Sequence, residues 1–307
     1  MKQGCLIVAL GTPDAPTPER IREFLRSFLS DRWVVDFPRF LWKPILHGIV
    51  LRVRPKKVAP LYRHIWLEDG SPLEVYTRAQ RDLLAAALPD IEVRHAMSYT
   101  SPSVAEAVAG WDVDHITVIP MYPHYAPSTT NTIIEQVDAA AENARWRHKL
   151  VRSWGTAEGF IGWYRSRLRD ELTAEDVDRV VFSYHGVPQR KVHGPDEYRA
   201  QCLATTEAIM AGFDIPHEVS FQSKFGPGAW LSPATVDRMS QLPGEGVKRL
   251  LLLTPGFVAD CIETLDELDL LNRDTFLAAG GESFRRLAPL NDHPEVGAVL
   301  AEVFRTA

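Results

Sequence analysis

The chain has 307 residues, 45% of them hydrophobic and 24% charged, which is typical of a globular protein long enough for two domain-sized cores. Its formal net charge of −6 argues against nucleic acid as the main partner, since domains that bind nucleic acid usually carry a basic excess. Three widely spaced cysteines, and apolar runs too short for a signal peptide or a membrane span, predict a protein of the reducing cytoplasm.

Eight short apolar runs predict β-strands, and each is followed by a turn. They are 5–10, 91–99, 115–122, 149–154, 179–185, 217–223, 248–255 and 284–290. Segments of helical periodicity lie between most of them, at 18–29, 77–87, 103–109, 130–144, 156–172, 197–211 and 234–241. The alternation of strands and helices predicts parallel sheets covered by helices on both faces.

Four strands, a long helical stretch and four more strands predict two similar α/β halves. We place them at 1–155 and 156–307, with packing of the last helix back on the N-terminal domain as one option. No repeat is visible at the level of residue letters, so the duplication is inferred from the pattern alone.

The segment 36–57 mixes bulky apolar residues with several basic ones. These are Arg39, Lys43, Arg52, Arg54, Lys56 and Lys57. One interpretation is a core helix followed by a solvated basic loop. The other is an amphipathic lip that touches a membrane surface or an apolar ligand. Composition does not choose between them.

The run VVFSYHGVPQR ends a predicted strand on His185, and Gly186 and Pro188 then turn the chain. In such folds ligands lie beyond the carboxyl ends of the strands, and a neutral imidazole both accepts protons near pH 7 and binds metals. A lone histidine at a strand end is also often only structural. Because strand ends in both halves are polar, aromatic or rich in Gly and Pro, the sequence predicts a ligand cleft between the halves.

The segment ADCIETLDELD places Glu263 and Glu267 four residues apart, so on a helix they would share a face, with Asp260 and Asp266 nearby. One interpretation is an acidic, solvated helix start that suits the helix dipole. The other is a row of carboxylates that passes a divalent cation along the cleft. One histidine with carboxylates and open positions suits Fe(II) better than a closed zinc site.

Nucleotide binding has weak support in this sequence. GTPDAPTPE follows the first predicted strand but contains one glycine and matches neither GxGxxG nor GK[ST]. SYTSPS and YAPSTT could bind anions through hydroxyls and helix N-termini, although helix capping is the simpler interpretation.

Taken together and in order, the motifs resemble the ferrochelatase family over nearly the whole chain, most closely its Gram-negative bacterial type. The segments that carry the resemblance are LGTPDAPTP, FLSDRWVVDFPRFLWKPIL, RPKK, GSPLEVYT, MYPHYAPSTT, SYHGVPQR, FQSKFGPGAWLSP and PGFVADCIETLDELD. The resemblance implies a lyase-type metal chelatase that inserts Fe(II) into protoporphyrin IX to form protohaem, the last step of haem biosynthesis. It also implies two Rossmann-like domains with a porphyrin in the cleft.

By the same resemblance, His185 is the active-site histidine, Glu263 the essential glutamate, and Glu267 part of an acidic metal path behind it. All three are expected to meet the metal. The family's porphyrin contacts fall on Arg54, Lys57, Tyr62, Ser71, Tyr122, Ser223 and Trp230. Guanidinium and hydroxyl groups suit propionate carboxylates. The apolar stretch 37–51 matches the family's lip, which implies contact with the macrocycle and peripheral membrane association.

This sequence departs from other members at four positions. Leu271 replaces a further carboxylate and Cys261 a histidine, which puts the outer metal route in doubt, and Ser98 stands where animal members have an arginine beside the pocket. Pro127 stands where some members have a cluster cysteine, and no CxxC pair occurs, so we expect no iron–sulfur cluster and no prosthetic group, with Fe(II) as a substrate only. A monomer is compatible with this.

Three alternatives stay open. One is a related chelatase that acts on coproporphyrin III or that inserts Fe or Co into a precorrin-type ring. A second is a carrier that binds haem or porphyrin without catalysis and would not need Glu263. The third is a nucleotide-dependent α/β enzyme, which the missing glycine fingerprint disfavours.

Overall fold

The computed structural model describes residues 1–142, 144–224 and 228–307. Each of the eight predicted runs overlaps a strand, although the fourth strand lies earlier than predicted and shares only 149–150 with its run. The strands are β1 (Gln3–Ala9), β2 (Glu92–Met97), β3 (His115–Pro120), β4 (Arg147–Leu150), β5 (Arg179–His185), β6 (His217–Gln222), β7 (Arg249–Leu253) and β8 (Ser283–Arg286). The described helices are α1 (Pro18–Leu29), α2 (Arg39–Ile45), α3 (Leu51–Ile65), α4 (Pro72–Ala87), α5 (Val104–Val108), α6 (Thr132–Ala141), α7 (Glu158–Ala174), α8 (Pro195–Met210), α9 (Thr235–Gln241), α10 (Ile262–Leu265), α11 (Arg273–Ala278) and α12 (Val296–Thr306).

The strands form two parallel sheets of four strands with the same topology. The first has the order β2-β1-β3-β4 and the second the order β6-β5-β7-β8. The predicted fold class, two Rossmann-like four-stranded domains flanked by helices, is therefore confirmed. In each sheet the strand order reverses beside the first strand, and such a switch point is where open α/β sheets bind ligands.

Two compact units divide the chain. The first contains Met1–Tyr122, Ala126–Arg152 and Asn291–Ala307, and the second contains Pro123–Tyr125 and Ser153–Leu290. Helix α12 thus belongs to the first unit, where it packs against α4. A Cβ atom at Gly297 would lie 2.4 Å from the carbonyl oxygen of Leu83, so only glycine permits this close approach.

Each unit has its own apolar core around its sheet. In the first unit, Leu6 and Val8 of β1 and Val118 of β3 pack with Trp111 and Ile133. In the second unit, Leu250 and Leu252 of β7 pack with Val181, Met239 and Phe276. The near-continuous burial of β1 and β7 is what a parallel sheet covered on both faces requires.

The basic segment near 36–57 is helical over most of its length. Helix α2 runs through a π-helical turn, Leu46–Val50, into α3, so the basic residues expected in a loop lie in α3. No residue of α2 is buried, and Phe40 and Ile49 are 77% and 61% exposed. The interpretation as a core helix followed by a loop is therefore wrong here, because most of these apolar side chains face outward.

Candidate active site

His185 is the last residue of β5 and is exposed at the carboxyl end of the second sheet. The five residues before it, Val180 to Tyr184, are buried, so the strand is anchored in the core up to the histidine. The imidazole of His185 therefore lies at the edge of the sheet because the buried strand ends at this residue.

One hydrogen bond determines which ring nitrogen of neutral His185 carries the proton. Its Nδ1 lies 2.8 Å from the carbonyl oxygen of Gly186, and a carbonyl can only accept, so Nδ1 donates. Nε2 then keeps the lone pair. The ring centroid lies 6.5 Å from that of Phe257. A proton acceptor or metal donor atom thus points away from the backbone.

The turn after His185 needs glycine at its first position. The Gly186 amide donates to the carbonyl of Gln222 at 2.8 Å, and a Cβ on Gly186 would approach that same oxygen to 2.8 Å. The ring of Trp230 would lie 3.5 Å from the same Cβ. Trp230 also forms a β-bridge with Pro188, so the turn is held against the segment that carries the tryptophan.

Gln222 links the histidine strand to the glutamate segment. It is the register partner of His185 on β6, and its buried side chain accepts from Ser183 Oγ at 2.8 Å. Its Nε2 donates to the carbonyl oxygen of Glu263 at 2.7 Å. One satisfied amide therefore sets the position of the backbone that carries Glu263 relative to the end of β5.

Glu263 and Glu267 do not share one regular helix, which differs from the geometry that their spacing suggested. Helix α10 spans only four residues, and the chain continues as a π-helical turn, Glu267–Asn272. The Leu271 amide donates to the Asp266 carbonyl at 3.2 Å, an i→i+5 bond that widens the turn. Glu263 lies in the short helix and Glu267 begins the widened turn, so the regular i,i+4 geometry does not apply to this pair.

Glu267 is held by Ser223, a residue in the left-handed backbone region with φ of +63°. The Ser223 amide donates to Glu267 Oε1 at 2.7 Å, and the Ser223 hydroxyl donates to Oε2 at 2.5 Å. Burial nevertheless raises the pKa of Glu267 above its usual value, and the charge of Glu263 raises it further, while His185 acts to lower it. This carboxyl therefore keeps a proton to higher pH than an exposed glutamate.

His185, Glu263 and Glu267 come together at the carboxyl edge of the second sheet. The Glu267 carboxyl interacts electrostatically with both of the other side chains, and Cys261 donates a side-chain hydrogen bond to Glu263. Burial, together with that nearby carboxylate, raises the pKa of the Cys261 thiol well above its usual value. Across the described ranges, no three His, Cys, Asp or Glu side chains form a ready-made metal cage.

A buried ion cluster braces the glutamate segment from behind. Arg286 of β8 is 5% exposed, and its Nε and Nη2 each lie 2.7 Å from an oxygen of Asp269. Its Nη1 lies 3.0 Å from Asp260, which accepts from Thr264 Oγ1 at 2.7 Å. The same Thr264 oxygen accepts from the Cys261 amide at 3.0 Å and caps α10. Arg286 thus fastens residues on both sides of Glu263.

We expect Arg286→Met to destabilise the second unit by about 3–5 kcal/mol, because it leaves two partly or fully buried carboxylates without their cation. Urea unfolding followed by tryptophan fluorescence measures the change. Adding Asp260→Asn and Asp269→Asn should recover part of the loss, since the uncompensated charges are then removed.

Arg285→Met is the matched control for this prediction. Arg285 lies next to Arg286 on β8, but its partner Glu171 is more exposed than Asp260. A loss of about 1 kcal/mol or less is expected for such a pair. Equal losses for the two variants would contradict a special role of the buried cluster.

The remaining predicted contact residues lie as follows. In α3, Arg54 is half-buried, Lys57 is exposed and Tyr62 is buried. Ser71 precedes α4, is buried, and lies 2.7 Å by its hydroxyl from Thr12 Oγ1. Tyr122 follows β3 and packs on the core of the first unit. These assignments stay predictions, and Phe225 to Pro227 of the FQSKFGPGAWLSP motif lie outside the described residues.

Two residues that shape the site escaped the sequence analysis. Gln222 lies in the FQSKFGPGAWLSP motif, but the residue type alone does not indicate a hydrogen bond to Glu263. Arg286 is 17 residues beyond its partner Asp269 in a different element, so no local spacing reveals the pair. An unusually polar residue ending each of these two strands was the only available signal.

The fold defined by these two sheets is shared with solved structures of chelatases. A solved structure described as "SirB from Bacillus subtilis with Fe3+" superimposes with a TM-score of 0.59 at 13% identity, covering 100% of this chain and 94% of that one. The sirohydrochlorin chelatase SirB of Bacillus subtilis subspecies spizizenii in complex with cobalt gives 0.59 at 12% identity, covering 100% and 96%. At such identities the likeness establishes the fold alone.

Sequence comparison supplies the family. The ferrochelatase family model matches residues 2–307. A ferrochelatase of Pectobacterium atrosepticum is 43% identical over 302 residues, covering 95% of this chain and 94% of the relative. A coproporphyrin III ferrochelatase of Lactococcus lactis subsp. lactis is 40% identical, covering 98% and 97%. The chain belongs to the ferrochelatase family.

It is accordingly a metal chelatase, a lyase that uses Fe(II) and a porphyrin as substrates and yields haem. Within the part of the chain that the structure describes, none of the helices is long and apolar enough to cross a membrane.

Proposed function

We propose that this ferrochelatase takes protoporphyrin IX as its porphyrin and forms protohaem at the carboxyl edge of the second sheet. His185 and Glu263 carry the reaction, and Glu267 lies behind them. The observation that carries this proposal is the Gln222 link, which joins the end of the histidine strand to the Glu263 backbone. The PGFVADCIETL segment resembles that of protoporphyrin enzymes, and this supports the choice of ring.

The reaction needs the loss of two pyrrole protons and the shedding of water by Fe(II). Two N–H bonds break, Fe–N bonds form, and no electron is transferred. Binding contacts remote from the reacting centre bend the macrocycle, which turns pyrrole lone pairs toward the metal and stores about 1–5 kcal/mol of strain. The flat product then fits less well and leaves.

His185 accepts the first proton at Nε2, because its Nδ1–H is already committed to the Gly186 carbonyl. Glu263 takes the second proton or guides the cation. Burial raises the pKa of Glu267, so this carboxyl can take up a proton near neutral pH more readily than an exposed glutamate, and it serves as the next proton acceptor outward.

Porphyrin side groups are bound by residues of the predicted set. Arg54 and Lys57 provide cations for the propionates, and hydroxyls of Tyr62, Ser71 and Ser223 add directional bonds. Tyr122 and Trp230 contact the ring. In this structure Ser223 is engaged with Glu267, so a propionate would compete with that carboxylate for the same hydroxyl.

We further propose a monomer of the cytoplasm that contains no iron–sulfur cluster and makes peripheral contact with the inner membrane surface. The exposed apolar side chains of α2 and the following turn support that contact. Leu271, 55% exposed, and the buried Cys261 stand where relatives have metal-path residues, so the outer route for Fe(II) runs through Glu267 with fewer carboxylates.

Anaerobic Fe(II) insertion, followed by the change in porphyrin absorbance, tests the function. We expect kcat/KM for protoporphyrin IX to exceed that for coproporphyrin III. The reverse order would replace the proposed substrate with the alternative one. Stoichiometric haem binding without consumption of Fe(II) would instead indicate a carrier, and protection by nucleotides in a thermal shift would revive a nucleotide-dependent enzyme.

A further inference from the structure

A basic pocket lies on the first unit and has no part in the site described above. Its volume is about 300 Å³, and its lining consists of Arg22, Arg26, His47, Leu51 and Arg52. Helix α1 contributes two arginines, the π-helical turn after α2 contributes the histidine, and α3 begins with the last two residues. Helices α1 and α3 pack together, so the pocket has a fixed frame.

The two α1 arginines are one turn apart and therefore lie on one face of that helix. The Nε of Arg22 donates to the carbonyl oxygen of Leu51 at 2.9 Å, which orients its guanidinium toward the start of α3. Leu51 itself is buried and forms an apolar floor. The arrangement combines one hydrogen-bonded guanidinium, that of Arg22, with two exposed ones, those of Arg26 and Arg52, beside a buried leucine.

Among the described residues, these guanidiniums are not paired with a carboxylate. Through residues 1–142, 144–224 and 228–307, no carboxylate forms an ion pair with Arg22, Arg26 or Arg52, whereas the neighbouring Arg20 pairs with Glu23 at 2.7 Å. Three like charges that share one hollow repel each other unless an anion joins them. The pocket is therefore suited to an anion with several oxygens, which guanidinium groups bind in a forked geometry.

The basic residues of the chain are concentrated near the pocket, while the rest of the chain is acidic, and this also favours the binding of an anion there. Segment 36–57 has six Lys and Arg against a single acid, Asp36, a net +5, which leaves −11 for the other 285 residues. Protein this acidic is repelled by anionic surfaces except where it is locally basic. A locally basic face therefore determines the orientation in which the molecule can approach such a surface.

Exposed apolar side chains lie on the same helical segment as the pocket, and Arg52 follows one of them, Ile49, by three residues, so the two are neighbours on the helix surface. Leu41, Ile45, Ile49 and Val53 recur every four residues, and each is at least 40% exposed. A small soluble phosphate has no apolar part and would make no favourable contact with this apolar stripe. An anion attached to an apolar body would engage both features at once.

We infer that the pocket formed by Arg22, Arg26, His47 and Arg52 binds the phosphate group of an anionic phospholipid while the apolar stripe enters the bilayer surface. The inference deepens the proposed peripheral membrane contact and rests on it. The headgroup contact sets the orientation of the first unit on the membrane, and the stripe adds affinity that does not depend on charge.

Vesicle flotation with the full chain tests the site. Wild type should bind vesicles of phosphatidylcholine with phosphatidylglycerol more tightly than vesicles of phosphatidylcholine alone. The double variant Arg26→Gln/Arg52→Gln should weaken binding to the anionic vesicles by about tenfold to thirtyfold. The reason is that each arginine near an anionic surface strengthens membrane binding by a similar factor, and the variant removes two of them. Its binding to neutral vesicles should stay unchanged.

The matched control is Arg145→Gln/Arg147→Gln, which removes two exposed charges of the first unit outside the pocket. A loss as large as that of the pocket variant would mean that only net charge matters and would overturn the site. Equal binding of wild type and pocket variant to anionic vesicles would also overturn the pocket as a lipid site, while the membrane contact itself would stand. No binding of wild type to either vesicle would refute the contact and the pocket together.

Two soluble probes separate other occupants. Inorganic phosphate should compete with vesicles only weakly, because it lacks the apolar part. If it binds with the same arginine dependence while vesicles do not bind, the lipid assignment is wrong. Porphyrin affinity, measured by fluorescence quenching, should be unchanged in the pocket variant, and a fall in that affinity alone would assign the pocket to substrate carboxylates instead.

Discussion

Replacing His185 with alanine is expected to lower Fe(II) insertion by about 10²–10⁴-fold while leaving porphyrin binding largely intact. The variant removes the Nε2 lone pair that the Gly186 carbonyl keeps available, and general-base groups contribute on this scale. Porphyrin binding should survive because His185 ends its strand with an exposed side chain, so its loss opens no core cavity. Anaerobic turnover and porphyrin fluorescence quenching measure the two quantities separately.

His217→Ala is the matched control for this prediction. His217 is an exposed histidine at the opposite end of the neighbouring strand β6, and its Nδ1 likewise faces a backbone carbonyl, that of Ile215, at 3.3 Å. Its loss should leave turnover unchanged. Normal turnover in His185→Ala would remove this histidine from the mechanism.

Replacing Glu263 with glutamine should lower kcat by about 10²–10⁴-fold with little change in stability. Glutamine keeps the size of the side chain and can still accept from Cys261, and the link from Gln222 reaches the backbone carbonyl and is unaffected. What disappears is the negative charge and the ability to take a proton. Steady-state kinetics together with urea unfolding distinguishes loss of chemistry from loss of fold.

Glu207→Gln, an exposed glutamate on α8 of the same unit, is the charge-matched control and should behave like wild type. A kcat that falls in Glu263→Gln only in proportion to the folded fraction would argue against a chemical role. The variant should also lower the pKa of Glu267, because the neighbouring charge that raises it is gone. The pH at which the residual activity changes should move in the same direction.

The strands were predictable because a parallel sheet leaves a short, local signature. Buried strands such as β5 and β7 read as continuous apolar runs, and the turns after them are rich in Gly and Pro. Helix α1 was predicted with its observed bounds, Pro18–Leu29, because Thr17 caps it and Pro18 occupies its first turn. The segment 36–57 was less predictable, because exposed apolar residues in a helix look like core residues in a sequence.

The geometry around Glu263 was not accessible from the spacing of its carboxylates. Four residues between two glutamates suggest one helical face, but a π-helical turn intervenes. That turn is held by contacts distant in sequence: Ser223 bonds to Glu267 across 44 residues, and Arg286 bonds to Asp269 across 17. Local propensity describes only what neighbouring residues prefer and holds no information on such partners.

The sequence by itself determined the two four-stranded halves, the family and the strand end that presents His185, since burial patterns and motif residues are read directly from its letters. Only the tertiary structure decided which imidazole nitrogen is available, how Gln222 ties the glutamate segment to that strand end, and which cation braces it. These depend on hydrogen bonds and ion pairs between elements far apart in the chain, whose geometry arises when the second sheet brings its strand ends together.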